Sequence, residues 1–171
     1  MTELFWASLD TPVGQVSVGC SPQGVARIRY GAPPAGTDAA PDLASAALRQ
    51  VTEYFRGGLK AFELDVDWSA TSGTQRQVLQ VLADSVGYGQ TTTYGELAQR
   101  AGLAASADVL PARVVGQIMA SNPIPVVVPC HRVLAADGLG GYSGGAGIEV
   151  KRWLLILEGA LPPTLDWVPA T

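Results

Sequence analysis

Residues 124–132 read Ile-Pro-Val-Val-Val-Pro-Cys-His-Arg, an apolar run stopped by Pro129 and followed at once by a thiol, an imidazole and a guanidinium. Proline fixes its own φ at about −65° and has no N–H to donate, so the run ends there and the chain turns. Cys130 is one of two cysteines, and His131 is the only histidine in 171 residues. A thiol becomes a nucleophile when a nearby base, cation or helix N-terminus favours its thiolate. Adjacent residues on a strand point to opposite faces, so His131 can serve Cys130 only across a turn or through a water. Taken alone, the pair also fits a buried structural thiol beside a satisfied surface imidazole.

Outward from this stretch the second half reads as mostly helical. Downstream, residues 137–147 hold six glycines, and Ile148 to Leu157 predicts a terminal helix stopped at Gly159. Upstream, Ser72-x-x-Gln75 and Thr74-x-x-Gln77 each have the form of a capping box for a helix to Ser85, with Val78, Val81 and Leu82 inward. Thr93-x-x-Glu96 opens a short helix to Ala101, and Pro111 suits the first turn of another over Ala112–Ser121. Those two would make a helix-turn-helix with a connection longer than the usual three or four residues.

The first half reads as a meander. Leu4–Leu9, then Val16 and Val18 up to Cys20, then Val25, Ile28 and Tyr30 are separated by turn clusters. After a Pro/Gly/Ala-rich loop over 31–42, Leu43, Ala47, Val51, Tyr54 and Phe55 share one helical face, with Gly57-Gly58 as the stop. Phe62, Leu64 and Val66 alternate with acids and predict a fourth, half-buried strand. The pattern is a small α/β unit of three to four strands ending near Trp68, followed by a helical one.

With 47% apolar and 15% charged residues the chain can bury a core. The net charge of −4 and a pI near 4.8 exclude a general polyanion binder. Residues 1–68 carry −3 and residues 69–171 carry −1, so any nucleic-acid contact must come from a local arrangement in the second half. No run of about 18 apolar residues exists to cross a membrane. Two distant cysteines give no disulfide framework, and one histidine excludes multi-histidine metal sites. Cys20, after alternating valines, reads as a buried strand residue. Met1-Thr2-Glu3 lacks the start of a secretory signal, and a reduced, cytoplasmic protein is expected. Nine arginines against two lysines, with abundant Ala and Gly, fit a GC-rich bacterial genome.

The string Asn122-Pro123, Pro129-Cys130-His131-Arg132-Val133, Gly141-Tyr142-Ser143-Gly144-Gly145, Lys151 and Leu154-Leu155 up to Glu158 resembles the O6-alkylguanine-DNA alkyltransferases, the methylated-DNA–protein-cysteine methyltransferases. Tyr94-Gly95-Glu96-Leu97-Ala98 and Arg113-Val114-Val115-Gly116 stand in the expected order, so the resemblance is strong over residues 74–159. It is looser over the first half, through Ser8–Gly14 and the helix at 43–57. It implies an α+β fold. Residues 1–68 would form a small N-terminal α/β (RNase H-like) domain with three to four strands. Residues 69–171 would form a mostly helical C-terminal domain with a winged-helix-like helix-turn-helix.

The resemblance also implies a reaction. An alkyl group on O6 of guanine, or on O4 of thymine, in double-stranded DNA would move irreversibly to Cys130 in a single turnover. His131 would be the base, acting through a water, and Glu158 the carboxylate orienting the imidazole. Tyr94 would give a proton to the leaving base, and Asn122 would brace the cysteine turn. Arg113 would fill the gap left by a flipped base, with Gly116 and Ala120 close to the minor groove and Thr93 and Arg132 as further DNA contacts. Tyr142 would wall the pocket with Gly144 and Pro129, Ser143 would bond O6, and the backbone around Val133 to Ala135 would read the exocyclic amine. No cofactor or metal is implied, and the protein would act as a monomer. Without the resemblance, Glu158 reads as a solvated residue near a helix end, Tyr94 as a packing residue and Arg113 as an ordinary exposed arginine.

The chain departs from the family pattern between Tyr94 and Arg113, where Ala104-Ala105-Ser106-Ala107-Asp108 reads as an insertion. Two other readings compete. A non-enzymatic lesion binder of the alkyltransferase-like type would lack the acceptor cysteine, which is present here. A thiol hydrolase built on Cys130 and His131 finds no second histidine to support it.

Overall fold

The computed structural model describes residues 3–37, 41–144 and 147–163. The chain opens with an antiparallel meander, β1 (Phe5–Thr11), β2 (Gly14–Ser21) and β3 (Gly24–Tyr30), in that spatial order. Thr11 pairs with Gly14 and Ser21 with Gly24, so each connection is a two-residue hairpin loop. Gly24 has φ 139°, and a Cβ there would collide with the carbonyl of Asp65, so the second turn requires glycine. Val16, Val18, Cys20 and Ile28 are buried, and α1 (Pro41–Phe55) packs against the sheet with Ala44, Ala47, Val51, Tyr54 and Phe55 buried. This is the expected helical stripe; the Leu43 side chain lies outside the described residues.

The fourth strand expected at Phe62–Val66 does not form. Phe62, Leu64 and Val66 are half-buried and Glu63 and Asp65 exposed, as the alternation requires. The segment nonetheless meets β3 at a single parallel bridge, Val25 to Val66. Further along, the edge of β3 is already taken, since the Ile28 N–H donates to the Pro123 carbonyl at 3.0 Å. The second half of the chain thus occupies the place a fourth strand would need.

Past a 3-10 turn at Trp68–Ala70, α2 (Gly73–Ser85) buries Val78, Leu79 and Leu82 and half-buries Val81. Ser72 is its N-cap but makes no side-chain cap bond. Gln75 donates instead to the carbonyl and hydroxyl of Ser121, and Gln77 to the carbonyl of Ala101, so both glutamines tie α2 to later elements. The box at Thr93 does form in full: Thr93 Oγ1 accepts from the Glu96 N–H and Glu96 accepts from the Thr93 N–H. It starts α3 (Tyr94–Arg100), directly after the two-residue β4 (Thr92–Thr93). α4 (Pro111–Ala120) begins on Pro111 and packs against α3 across the long connection 101–110, whose residues 104–110 are exposed. β5 (Val133–Leu134) runs parallel to β4, with Thr92 opposite Val133. α5 (Ile148–Leu157) closes the described fold, ahead of Gly159. One apolar core takes in side chains from both halves. No described helix is long and apolar enough to cross a membrane.

Candidate active site

The run Ile124–Val128 is a turn and not a strand. The Asn122 amide donates to the Val128 carbonyl at 2.9 Å, and its oxygen accepts from the Ile124 N–H at 3.0 Å. Between these two anchors Val126 sits at φ 75°, a left-handed conformation costing a β-branched residue about 1–2 kcal/mol. Asn122 therefore holds a strained loop in place. Pro129 ends it, and Cys130–Arg132 make one 3-10 turn. Such a turn sends consecutive side chains in different directions, Cys130 toward a cavity and His131 into the interior.

Cys130 lies on the wall of a cavity of about 630 Å³, formed by α3, α4 and the Gly141–Ser143 segment. That volume falls within the range of about 300–1,000 Å³ usual for small-molecule sites. A smaller hollow of about 240 Å³, lined by Tyr30, Asn122, Tyr142 and Gly144 among others, also touches Cys130. Burial pushes the Cys130 thiol up, against opposing help from Asn122 and Lys151, so the sulfur is a thiol at rest.

On the same turn, His131 is fully buried and its Nε2 is 2.8 Å from Oε1 of Glu158. Arg132 grips the same carboxylate through Nε at 2.9 Å and Nη2 at 2.8 Å, and donates Nη1 to the Val86 carbonyl at 2.8 Å. Burial raises the Glu158 carboxyl, but the bonds from His131 and Arg132 outweigh it and hold the group well below the usual carboxylate range. An ionised carboxylate can only accept, so Nε2 carries the proton and Nδ1 is the basic nitrogen. Nδ1 is buried with no protein partner. Burial lowers the imidazole pKa more than Glu158 restores it, leaving His131 neutral.

Two side chains to which the sequence reading gave no role stand in this region, Lys151 having been noted only as part of the motif. Tyr54, from α1, donates its hydroxyl to Glu158 Oε1 at 2.7 Å. Lys151 is fully buried and donates to the carbonyls of Val133 at 2.7 Å and Gly141 at 3.0 Å, with its ammonium 5.8 Å from the centre of the Tyr94 ring. Burial pulls this lysine down to about 8. The signal available in the sequence is a lysine amid Val150, Leu154 and Leu155, which interrupts an apolar helix face.

The remaining expected residues divide. Tyr94, Arg113, Gly116, Ala120, Tyr142 and Ser143 all line the larger cavity. Arg113 is exposed at α4, Gly116 faces open space, and Ser143 donates to the Ala120 carbonyl at 3.1 Å. Gly144 lines the smaller hollow. Thr93 spends its hydroxyl on the α3 cap. Three placements correct the expectation. Arg132 is 7% exposed and bound to Glu158, so it is no surface cation for DNA; the buried carboxylate draws it inward. Val133 is fully buried, its N–H bonded to Cys130 and its carbonyl to Lys151, and it does not line the larger cavity. Pro129 does not line the larger cavity and instead lines a separate hollow with Lys60 and Tyr88. Cys20 is 2% exposed and burial pushes its thiol up to about 11, an unreactive setting. No group of three or more His, Cys, Asp or Glu fit to hold a metal occurs among the described residues.

Known proteins resemble this chain in sequence and fold. Residues 73–160 match the family model of the 6-O-methylguanine DNA methyltransferase DNA-binding domain. The chain is 34% identical to a methylated-DNA–protein-cysteine methyltransferase of Mycobacterium bovis, over 94% of this chain and 95% of that one. It is 36% identical to a DNA base-flipping protein of Thermus thermophilus, over 90% and 99% respectively. The crystal structure of Mycobacterium tuberculosis OGT in complex with DNA superimposes with a TM-score of 0.78 at 32% identity, covering 92% of this chain and 95% of that one. A family model spanning half of the chain and a relative matched over nearly its whole length agree: the chain belongs to the family of 6-O-methylguanine DNA methyltransferases, the methylated-DNA–protein-cysteine methyltransferases.

Proposed function

We propose that Cys130 takes an alkyl group from O6 of guanine, and from O4 of thymine, in double-stranded DNA and keeps it. The observation that carries this reading is the sulfur on the wall of the 630 Å³ cavity with the adjacent residue, His131, paired to Glu158. The thiol proton passes through a water to Nδ1 of His131, and the imidazolium so formed is stabilised by Glu158. The thiolate attacks the alkyl carbon in line with O6: the S–C bond forms and the C–O6 bond breaks. The electron pair left on the base is neutralised by a proton from the Tyr94 hydroxyl. The thioether has no leaving route, so one molecule repairs one lesion.

In-line attack needs the base outside the duplex, and flipping costs a few kcal/mol. Arg113, exposed at the cavity mouth, fills the vacated stack, while Gly116 and Ala120 let α4 lie close to the minor-groove backbone. The protein acts as a monomer in a bacterial cytoplasm. Residues 1–68 form a supporting domain, and residues 69–171 carry the chemistry.

The test is intact mass after mixing with a duplex holding O6-methylguanine. The protein gains one methylene, Cys130→Ser gains none, and activity is lost in proportion to lesion added. Unchanged mass with retained lesion binding would favour lesion binding without alkyl transfer; the Thermus relative is named a DNA base-flipping protein.

A further inference from the structure

Tyr54 belongs to the first half of the chain, stands 104 residues from Glu158, and is 1% exposed. Its hydroxyl donates to Oε1 at 2.7 Å and lies 3.4 Å from Nε2 of His131. Oε1 therefore receives three donors, from Tyr54, His131 and Arg132, while Oε2 takes Arg132 Nε and the Gly89 N–H at 3.4 Å. A carboxylate offers about four lone-pair sites, so five donors compete for it. The phenol cannot ionise here, because burial and the adjacent Glu158 charge raise its pKa well above the ordinary value. It is a fixed donor at every working pH.

We propose that Tyr54 is a positioning residue of the proton relay: its hydroxyl holds Oε1 and limits the pull of Glu158 on the imidazole, keeping His131 a neutral base with Nδ1 free. The phenol and the imidazole share one oxygen, so each weakens the other's bond to it. Removing the hydroxyl leaves more of the Oε1 charge for His131 and makes the imidazole easier to protonate. The other groups facing the ring are untouched by that change. Arg132 on the same turn and Lys151 on α5 both oppose a second positive charge. Tyr88, following α2, faces Glu158 and Arg132, and Cys130 lies on the turn itself.

His131 is the only histidine, so its ring resonances are read in the intact protein without ambiguity. The experiment is a pH titration by NMR of histidine-labelled wild type and Tyr54→Phe, with the tautomer read from the ring nitrogens. Wild type shows the Nε2–H tautomer and a midpoint below the ordinary value of about 6.5. In Tyr54→Phe the midpoint rises by about half a pH unit or more, a change of roughly threefold in the proton affinity of the ring. Site-specific 3-fluorotyrosine at position 54 keeps the ring, strengthens the donor and moves the midpoint the other way. The same midpoint in all three proteins overturns the proposal. So does a wild type whose proton sits on Nδ1.

The kinetic consequence rests on the alkyl-transfer reading: the acid limb of the transfer rate shifts with the midpoint, whereas a merely structural role would lower the rate equally at all pH. A shifted midpoint in a wild type that takes up no alkyl group would sink that reading and leave the role of Tyr54 standing.

Discussion

Replacing Arg132 by methionine removes the guanidinium that holds Glu158 and keeps most of the side-chain volume. The carboxylate side chain is fully buried and that of Arg132 is 8% exposed, so solvent cannot take over the lost charge. Breaking a buried pair from one side costs about 3–5 kcal/mol, since the stranded charge has lost its water as well as its partner. Unfolding temperatures of chains this size fall by roughly 2–4 °C per kcal/mol, so a drop on the order of 10 °C is expected at pH 7. The matching Arg132→Met/Glu158→Gln protein should recover most of that loss, because no charge is left stranded. Thermal and urea unfolding of the four proteins in the cycle gives the coupling energy directly. A loss below about 1 kcal/mol for Arg132→Met would mean that the pair behaves like a surface ion pair, and the description of a dry network around Glu158 would fail.

Other outcomes follow from the same contacts. As pH falls through about 6.5 the unfolded imidazole takes up its proton before buried His131 does, so stability drops across this window, by at most about 1.4 kcal/mol per pH unit. His131→Gln should lack that slope, and a wild type equally stable across the window would contradict a neutral buried ring. Asn122→Ala loses both anchors of the strained turn and should cost about 1.5–3 kcal/mol; an unfolding midpoint within error of wild type would show that Val126 needs no such clamp. Arg113→Ala should slow repair in duplex DNA at least tenfold while reaction with free O6-alkylguanine stays close to wild type. Equal loss on both substrates would remove Arg113 from its role in flipping.

Local pattern carried the elements whose neighbours are close in sequence. The hairpins, the α1 stripe, the Thr93 box and the Pro111 start are each decided within a few residues and were legible. What failed needed knowledge of distant chain. Phe62–Val66 has a strand's alternation, yet Pro123 claims part of the edge it would join. Arg132 read as a surface cation because nothing nearby in sequence says that Glu158, 26 residues later, will bury beside it. Tyr54 read as one more core aromatic, since periodicity reports which face a side chain is on but not what its hydroxyl meets. The acceptor, its base and its carboxylate came from the family resemblance. Adjacency alone left Cys130 and His131 open to a structural explanation.

The short parallel pair of β4 and β5 has a practical consequence. It fastens the residue before Tyr94 to the chain four residues after Cys130, so the gap between Tyr94 and Cys130 is set by a two-rung ladder rather than by the 35 residues of chain between them. The exposed tract 104–107 lies outside that ladder and short of the first turn of α4. Fluorophores, affinity handles or whole reporter domains spliced there would ride on the repair protein without loosening its chemistry.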